Sequence, residues 1–204
     1  MAYDNLAADT TEELMHNSNT TILVVDLEAT CSDDGSIDAE HMETIEIGAC
    51  WVGPDGTLLE RFQSFVRPVV NPKLTSFCTN LIGIQQEDVD DAPLFSAAAV
   101  SFSQFVERHK VASSIWMSWG TYDHKQLVRD SERHGVNHPI MIPHQNAKRM
   151  FAKAQRIGKE VGMAKACALA GLSLDGTHHR ALDDALNVAR LLPWAFGTRN
   201  IRSK

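Results

Sequence analysis

The stretch Ile22-Leu23-Val24-Val25-Asp26-Leu27-Glu28-Ala29-Thr30 runs four aliphatic residues directly into two carboxylates. An apolar run this short suits a strand buried on both faces. Side chains alternate along a strand, so Asp26 and Glu28 project from one face, two positions apart. Two carboxylates that close repel and raise each other's pKa unless a cation sits between them. Oxygen ligands without a neighbouring cysteine or histidine favour Mg²⁺ or Mn²⁺ over zinc. The alternative is the polar-faced end of an ordinary strand.

Working outward from this strand, Thr44–Val52 and Leu58–Val66 read as strands joined by the turn Gly53-Pro54-Asp55-Gly56, and so as antiparallel neighbours. After Pro68 and Pro72 a short helix is predicted over Leu74–Leu81, and Pro93 falls in the first turn of a longer helix reaching about Glu107. The second half alternates. Ser114–Ser118 reads as a strand, Tyr122–His134 as a helix closed by Gly135, and Pro139–Ile142 as a further strand. Helices follow over Ala147–Gln155, Gly162–Ala170 and Ala181–Ala195, with Pro193 kinking or ending the last. Antiparallel strands followed by strands alternating with helices predict an α/β fold, a mixed five-stranded sheet flanked by helices. Residues 1–20 read as an arm or capping segment and 198–204 as a tail.

A chain of 204 residues, 44% hydrophobic and 22% charged, can bury a substantial core as one domain. Cys31, Cys50, Cys78 and Cys167 are scattered with no C-x-x-C, which suggests reduced thiols in a cytoplasmic protein. No apolar run approaches the roughly 18 residues that span a bilayer. A net charge of −7 argues against indiscriminate nucleic-acid binding through a broadly basic surface.

Two further segments carry titratable groups in suggestive places. In Ser118-Trp119-Gly120-Thr121-Tyr122-Asp123 a strand ends and an acid enters at a helix start, where Asp is also a good cap. In His178-His179-Arg180-Ala181-Leu182-Asp183-Asp184 a helix begins near Ala181, one turn before Asp184, with His179 just ahead of it. An imidazole there suits proton removal at neutral pH. An acidic helix N-terminus favoured by the macrodipole is the simpler reading.

In combination and in this order, these segments resemble the DEDDh 3′→5′ exonucleases. The family pattern is D-x-E on the first strand, an Asp at the head of a middle helix, and H-x-A-x-x-D near the C-terminus. Asp26-Leu27-Glu28-Ala29-Thr30-Cys31, Ser76-Phe77-Cys78 with Leu81-x-Gly83-Ile84, and Leu182-Asp183-Asp184 with Asn187 look more particularly like the Eri-type branch, which includes histone-mRNA 3′ exonuclease-like and KapD-like proteins. The resemblance covers roughly Thr21 to Gly197, making 21–197 the exonuclease domain. It implies an RNase H-like fold, two divalent cations (Mg²⁺ or Mn²⁺) bound by Asp26, Glu28, Asp123 and Asp184, and His179 as general base. Two such cations would offset about four negative charges of the empty protein. Only His179 and Asp184 are five apart with Ala181 in the motif's alanine place. Asp183, turned by about 100° on the helix, should make a local structural bond instead.

The partner implied is the single-stranded 3′ end of RNA or DNA, hydrolysed to 5′-mononucleotides by a two-metal mechanism. RNA preference comes from the Eri-type resemblance. Alternatives are a DNA exonuclease of the proofreading type and a non-catalytic regulatory binding protein of the same fold. Phe77 and Tyr122 are the candidates for stacking on the terminal base. Lys153 and Arg156, in the basic stretch Lys148–Lys165, are candidates for following the phosphates. The acidic loop Ser32–Glu40 should point away from the substrate path or limit access, and Glu46 is read as surface-exposed, the alternative being support of a metal ligand.

Overall fold

The computed structural model describes residues 20–201, so the expected arm, except Thr20, and the last three residues of the expected tail lie outside the described residues. Five strands form one sheet in the order β3-β2-β1-β4-β5. They are β1 (Ile22–Ala29), β2 (Thr44–Val52), β3 (Leu58–Phe65), β4 (Ile115–Ser118) and β5 (His144–Asn146). β1 pairs antiparallel with β2 and parallel with β4, β2 pairs antiparallel with β3, and β4 parallel with β5. The sheet is therefore mixed, with β1 central.

Alternation along β1 explains the two cores. Ile22 and Val24 face one side, where they join Cys50, Val52 and Met117. Three helices cover that face: α5 (Ala147–Ala154), α6 (Met163–Ala170) and α7 (Ala181–Ala195), through Phe151, Ala166, Ala185 and Val188 among others. Leu23, Val25 and Leu27 face the other side with Ile47, Trp51 and Trp116. There α3 (Phe95–Arg108) supplies Phe95, Phe102 and Phe105, and α4 (Tyr122–His134) supplies Leu127. The same alternation puts Asp26 and Glu28 on the face that α7 covers.

The sequence and the structure differ in several boundaries, each for a local reason. Helix α1 (Ser76–Ile82) starts two residues later than read, because Thr75 Oγ1 accepts from the Cys78 N–H (3.0 Å) and so caps it. The short helix α2 (Gln86–Asp90) was not anticipated; its signal is a reciprocal box between Gln85 and Asp88. Pro93 precedes α3, and its carbonyl accepts from Arg67 N (2.9 Å), tying the chain beyond β3 to the helix entry. The fifth strand is His144–Asn146, not Pro139–Ile142. Ile140 N donates locally to His138 Nδ1 (3.1 Å), and the ladder with β4 begins only where Trp116 N reaches the Pro143 carbonyl (2.9 Å). Pro193 lies inside α7, which continues two residues to Ala195. Proline has no N–H to offer the Ala189 carbonyl four residues back, and Gly56 of the β2–β3 turn lies against that oxygen.

Gly48 sets how closely the last helix approaches the sheet. A Cβ built there would stand 2.1 Å from the Ala181 carbonyl carbon and the Leu182 nitrogen. Backbone cannot give way as a flexible side chain does. Gly48→Ala should push the start of α7 off β2 and cost about 1–3 kcal/mol or more. Urea unfolding of the purified variant checks this, and an unchanged midpoint would contradict the close approach.

Candidate active site and metal centre

The parallel strands β1, β4 and β5 end at the same edge of the sheet, and each is followed by a segment carrying polar side chains. β1 delivers Asp26 and Glu28, the turn after β4 leads into α4 with Asp123 in its first turn, and α7 brings Asp184. Carboxylate oxygens of Asp26, Glu28 and Asp184 lie within 4.8 Å of one another. Asp123 joins through the β1 backbone: its Oδ1 accepts from Leu27 N (3.1 Å), between the two β1 acids. Glu28, Asp123 and Asp184 are 9%, 5% and 6% exposed. Residues 26, 28, 123 and 184, read from separate motifs, thus meet at one end of β1.

The histidines are arranged differently from each other. His178 Nδ1 is 2.9 and 3.1 Å from the Asp184 carboxylate oxygens. The His179 backbone N–H donates to Asp184 Oδ2 (3.1 Å), and its ring stacks on that of His178, centroids 4.0 Å apart. His179 has φ 66°, left-handed backbone that a residue with a Cβ adopts at a cost. His178, His179 and Asp184 form the second group of potential ligand atoms within 4.8 Å among the described residues. Asp183 makes the local bond expected of it, accepting from Thr177 N (2.7 Å). A Cβ on Gly176 (φ 74°) would strike its carboxylate, so that turn requires glycine.

Two partly exposed aromatic side chains belong to segments next to the cluster's residues: Tyr122 beside Asp123, and Phe77 on α1. Tyr122 immediately precedes Asp123, is 40% exposed, and its hydroxyl stands 3.9 Å from Met42 Sδ. Phe77 on α1 is 36% exposed, and Leu81, one turn along, is 44% exposed. Helix α1 is anchored to the chain just past Glu28: Thr75 Oγ1 donates to the Cys31 carbonyl (2.6 Å) and Cys78 Sγ to the Ala29 carbonyl (3.7 Å). Lys153 and Arg156 are not brought to this end. They flank Gln155, whose Nε2 donates to the Trp194 carbonyl (2.7 Å). Trp194 lies ten residues beyond Asp184 on α7, roughly 15 Å along its axis. The acidic loop closes on itself and on α4: Asp34 and Asp38 accept from backbone N–H groups of residues 36, 40 and 41, and Arg133 donates to the Met42 carbonyl (3.0 Å).

Glu46 is the principal correction. It is fully buried at 0% exposure, opposite Glu28 in the β1–β2 register, and paired with Arg180. Its position in the uninterrupted buried strand β2 was the available signal: a carboxylate among Ile45, Ile47 and Ala49 needs a partner.

Concentrated acid groups with little solvent shift their own titration. Burial, then Asp123, Glu28, Asp184 and Glu46, raise Asp26 well above the usual carboxylate range. Burial, then Asp184, Glu46 and Asp123, push Glu28 up to about 8. Burial raises Asp123 to about 6 against its hydrogen bonds. For Asp26 and Glu28 every contributing neighbour opposes ionisation. Such a donor set, all oxygen and short of positive charge, fits hard divalent cations. Burial and then the adjacent His178 lower His179, with Asp184 acting the other way.

A family model described as Exonuclease matches residues 23–192, and the chain belongs to this family. A Bacillus subtilis protein named probable 3′-5′ exonuclease KapD is 29% identical over 177 residues, a match covering 84% of this chain and 82% of that protein. The Schizosaccharomyces pombe 3′-5′ exonuclease eri1 is 26% identical over 200 residues, with 84% of this chain and 66% of that protein covered, so the chain spans about two thirds of its length. The nuclease domain of 3′hExo, a DEDDh family member solved bound to rAMP, superposes with a TM-score of 0.73 at 23% identity, covering 84% of this chain and 88% of that one. A 3′-exonuclease solved for its 3′-end-specific recognition of histone mRNA stem-loop gives 0.73 at 23%, covering 84% and 79%. The fold is thus the RNase H-like fold of the DEDDh exonucleases, and that family implies divalent metal ions. No described helix is long and apolar enough to cross a membrane.

The raised carboxylates have a consequence for stability. A carboxyl whose folded pKa exceeds its unfolded value binds more protons when folded, so stability falls as pH rises between the two values. For Glu28 that window runs from 4.5 to about 8. The metal-free protein should lose melting temperature across this window, and millimolar Mg²⁺ or Mn²⁺ should restore it most at the alkaline end. Scanning calorimetry in EDTA and in metal checks both slopes; a metal-free Tm that rose towards pH 8 would contradict them.

Proposed function

We propose that this chain is a metal-dependent 3′→5′ exonuclease acting on single-stranded ends, RNA before DNA, and releasing 5′-mononucleotides. The carrying observation is the meeting of Asp26, Glu28 and Asp184, with Asp123 one hydrogen bond away, at the end of the central strand. These four residues would hold two divalent cations, Mg²⁺ or Mn²⁺. Bound there, such a pair supplies Lewis-acid stabilisation of the attacking and leaving oxygens of an in-line displacement.

The chain's own residues do the rest. His179 accepts the proton of the attacking water; its lowered pKa keeps the ring neutral, and so able to accept, at neutral pH. Phe77 and Tyr122, both partly exposed, offer flat faces to the terminal base without reading its identity. The RNA preference draws support from relatives named exoribonucleases, such as mouse 3′-5′ exoribonuclease 1 at 25% identity. A cytoplasmic setting, read from the four free thiols, belongs to the same proposal.

End-labelled RNA and DNA of matched sequence, incubated with Mn²⁺, Mg²⁺ or EDTA and resolved to single nucleotides, test the reading. A ladder receding from the 3′ end only with metal is expected; cleavage in EDTA, or internal cuts, would overturn it. Asp26→Ala and Asp184→Ala should abolish turnover with the circular dichroism preserved, and turnover retained in either would remove the metal assignment. His179→Ala should slow the reaction by about 10²–10⁴-fold and flatten the acid limb of the pH–rate profile. An unaltered profile counts against its role as base.

A further inference from the structure

Glu46 and Arg180 join the two halves of the site. The Glu46 oxygens take four donors. Arg180 Nη2 (3.0 Å) and Gln63 Nε2 reach Oε1, while Arg180 Nε (3.1 Å) and Ala181 N (3.1 Å) reach Oε2. The guanidinium also lies over the Phe65 ring, 5.4 Å from its centroid. In the β1–β2 register Glu46 is opposite Glu28, and Gly48, where the Ala181–Leu182 backbone lies against the strand, is opposite Asp26. The β2 positions facing the two β1 acids are therefore those that clamp the start of α7. With both oxygens occupied, Glu46 stays out of the oxygen cluster although it neighbours Glu28.

His179 lies directly before this clamp. Its left-handed backbone persists only where the surroundings enforce it. Two restraints do so: on one side its own N–H on Asp184 Oδ2 (3.1 Å), on the other Arg180, fixed to β2 by a bidentate pair. We propose that Glu46 is a positioning residue which, through the Arg180 guanidinium and the Ala181 N–H, holds His179 left-handed and so sets its imidazole beside Asp184, the acid shared with Asp26 and Glu28. Its kinetic consequence rests on the nuclease reading; its geometric consequence does not.

Glu46→Gln tests it, because an amide nitrogen on either side meets two donors. Folded variant should show kcat reduced by about 10–100-fold with KM unchanged, the loss usual when a supporting bond behind a ligand set is removed. In a His179→Ala background the same change should add nothing, since no imidazole is left to position. The His179 Cε1–H resonance of the metal-free protein should move at fixed pH. A pair that merely braces the fold would lower Tm, multiply with His179→Ala and leave that resonance in place, and this result overturns the inference. Wild-type protein inert in every metal, yet with a displaced resonance in Glu46→Gln, would sink the nuclease reading and leave the positioning role standing. If Glu46→Gln folds poorly, Arg180→Lys keeps the charge without the planar fork and should give the same non-additivity and the same resonance shift.

Discussion

Like charge crowded behind an apolar strand is the constraint on which this structure turns. At an effective dielectric of about 20, two carboxylates about 5 Å apart repel by roughly 3 kcal/mol. Three such pairs approach the whole net stability of an ordinary domain, about 5–15 kcal/mol. In the metal-free protein burial and this repulsion together favour the protonated forms of Asp26 and Glu28, whose carboxyls are raised. Everything else at this end of the sheet works either to supply opposing charge or to keep the acids where a cation would find them.

The sheet solves this with one strand. β1 is paired with β2 along its length and with β4 over Ile22–Val24, and beyond that Asp123 takes the Leu27 N–H, so the backbone carrying the two carboxylates is held in place. β2 then serves twice. Gly48 admits the backbone of α7, and Glu46 fixes the residues just before Leu182. A fifth carboxylate beside four others would aggravate the repulsion, and Arg180 answers it locally; a buried pair of this kind stabilises little on its own but is costly to break.

How much of this was legible depended on whether the signal was local. Alternation and aliphatic runs placed β1, β2 and β3, and Gly135 marked the end of α4, because those features act within a few residues. The three-residue β5 escaped, since its pairing depends on Pro143 and a side-chain bond from His138 that no period reveals. The four acids were readable as motifs, but their convergence is a property of strand order. Glu46 was misread as exposed because its partner Arg180 lies 134 residues away in sequence. Lys153, in the last turn of α5, and Arg156, just past that helix, read as a basic track along the chain, and they flank Gln155, which bonds to the last turn of α7 and not to the acids.

The left-handed turn at His179 has a consequence for how the protein would fail on warming. Three of the four acids sit on or against the central strand, while Asp184 depends on a strained residue and an exposed loop, 173–178, tied down by Asn187 and Asp183 side chains. Regions with few buried contacts open at lower free energy than the centre of a sheet. Heat should therefore fray the mouth of the site while its floor stays intact, so that loss of competence precedes loss of shape.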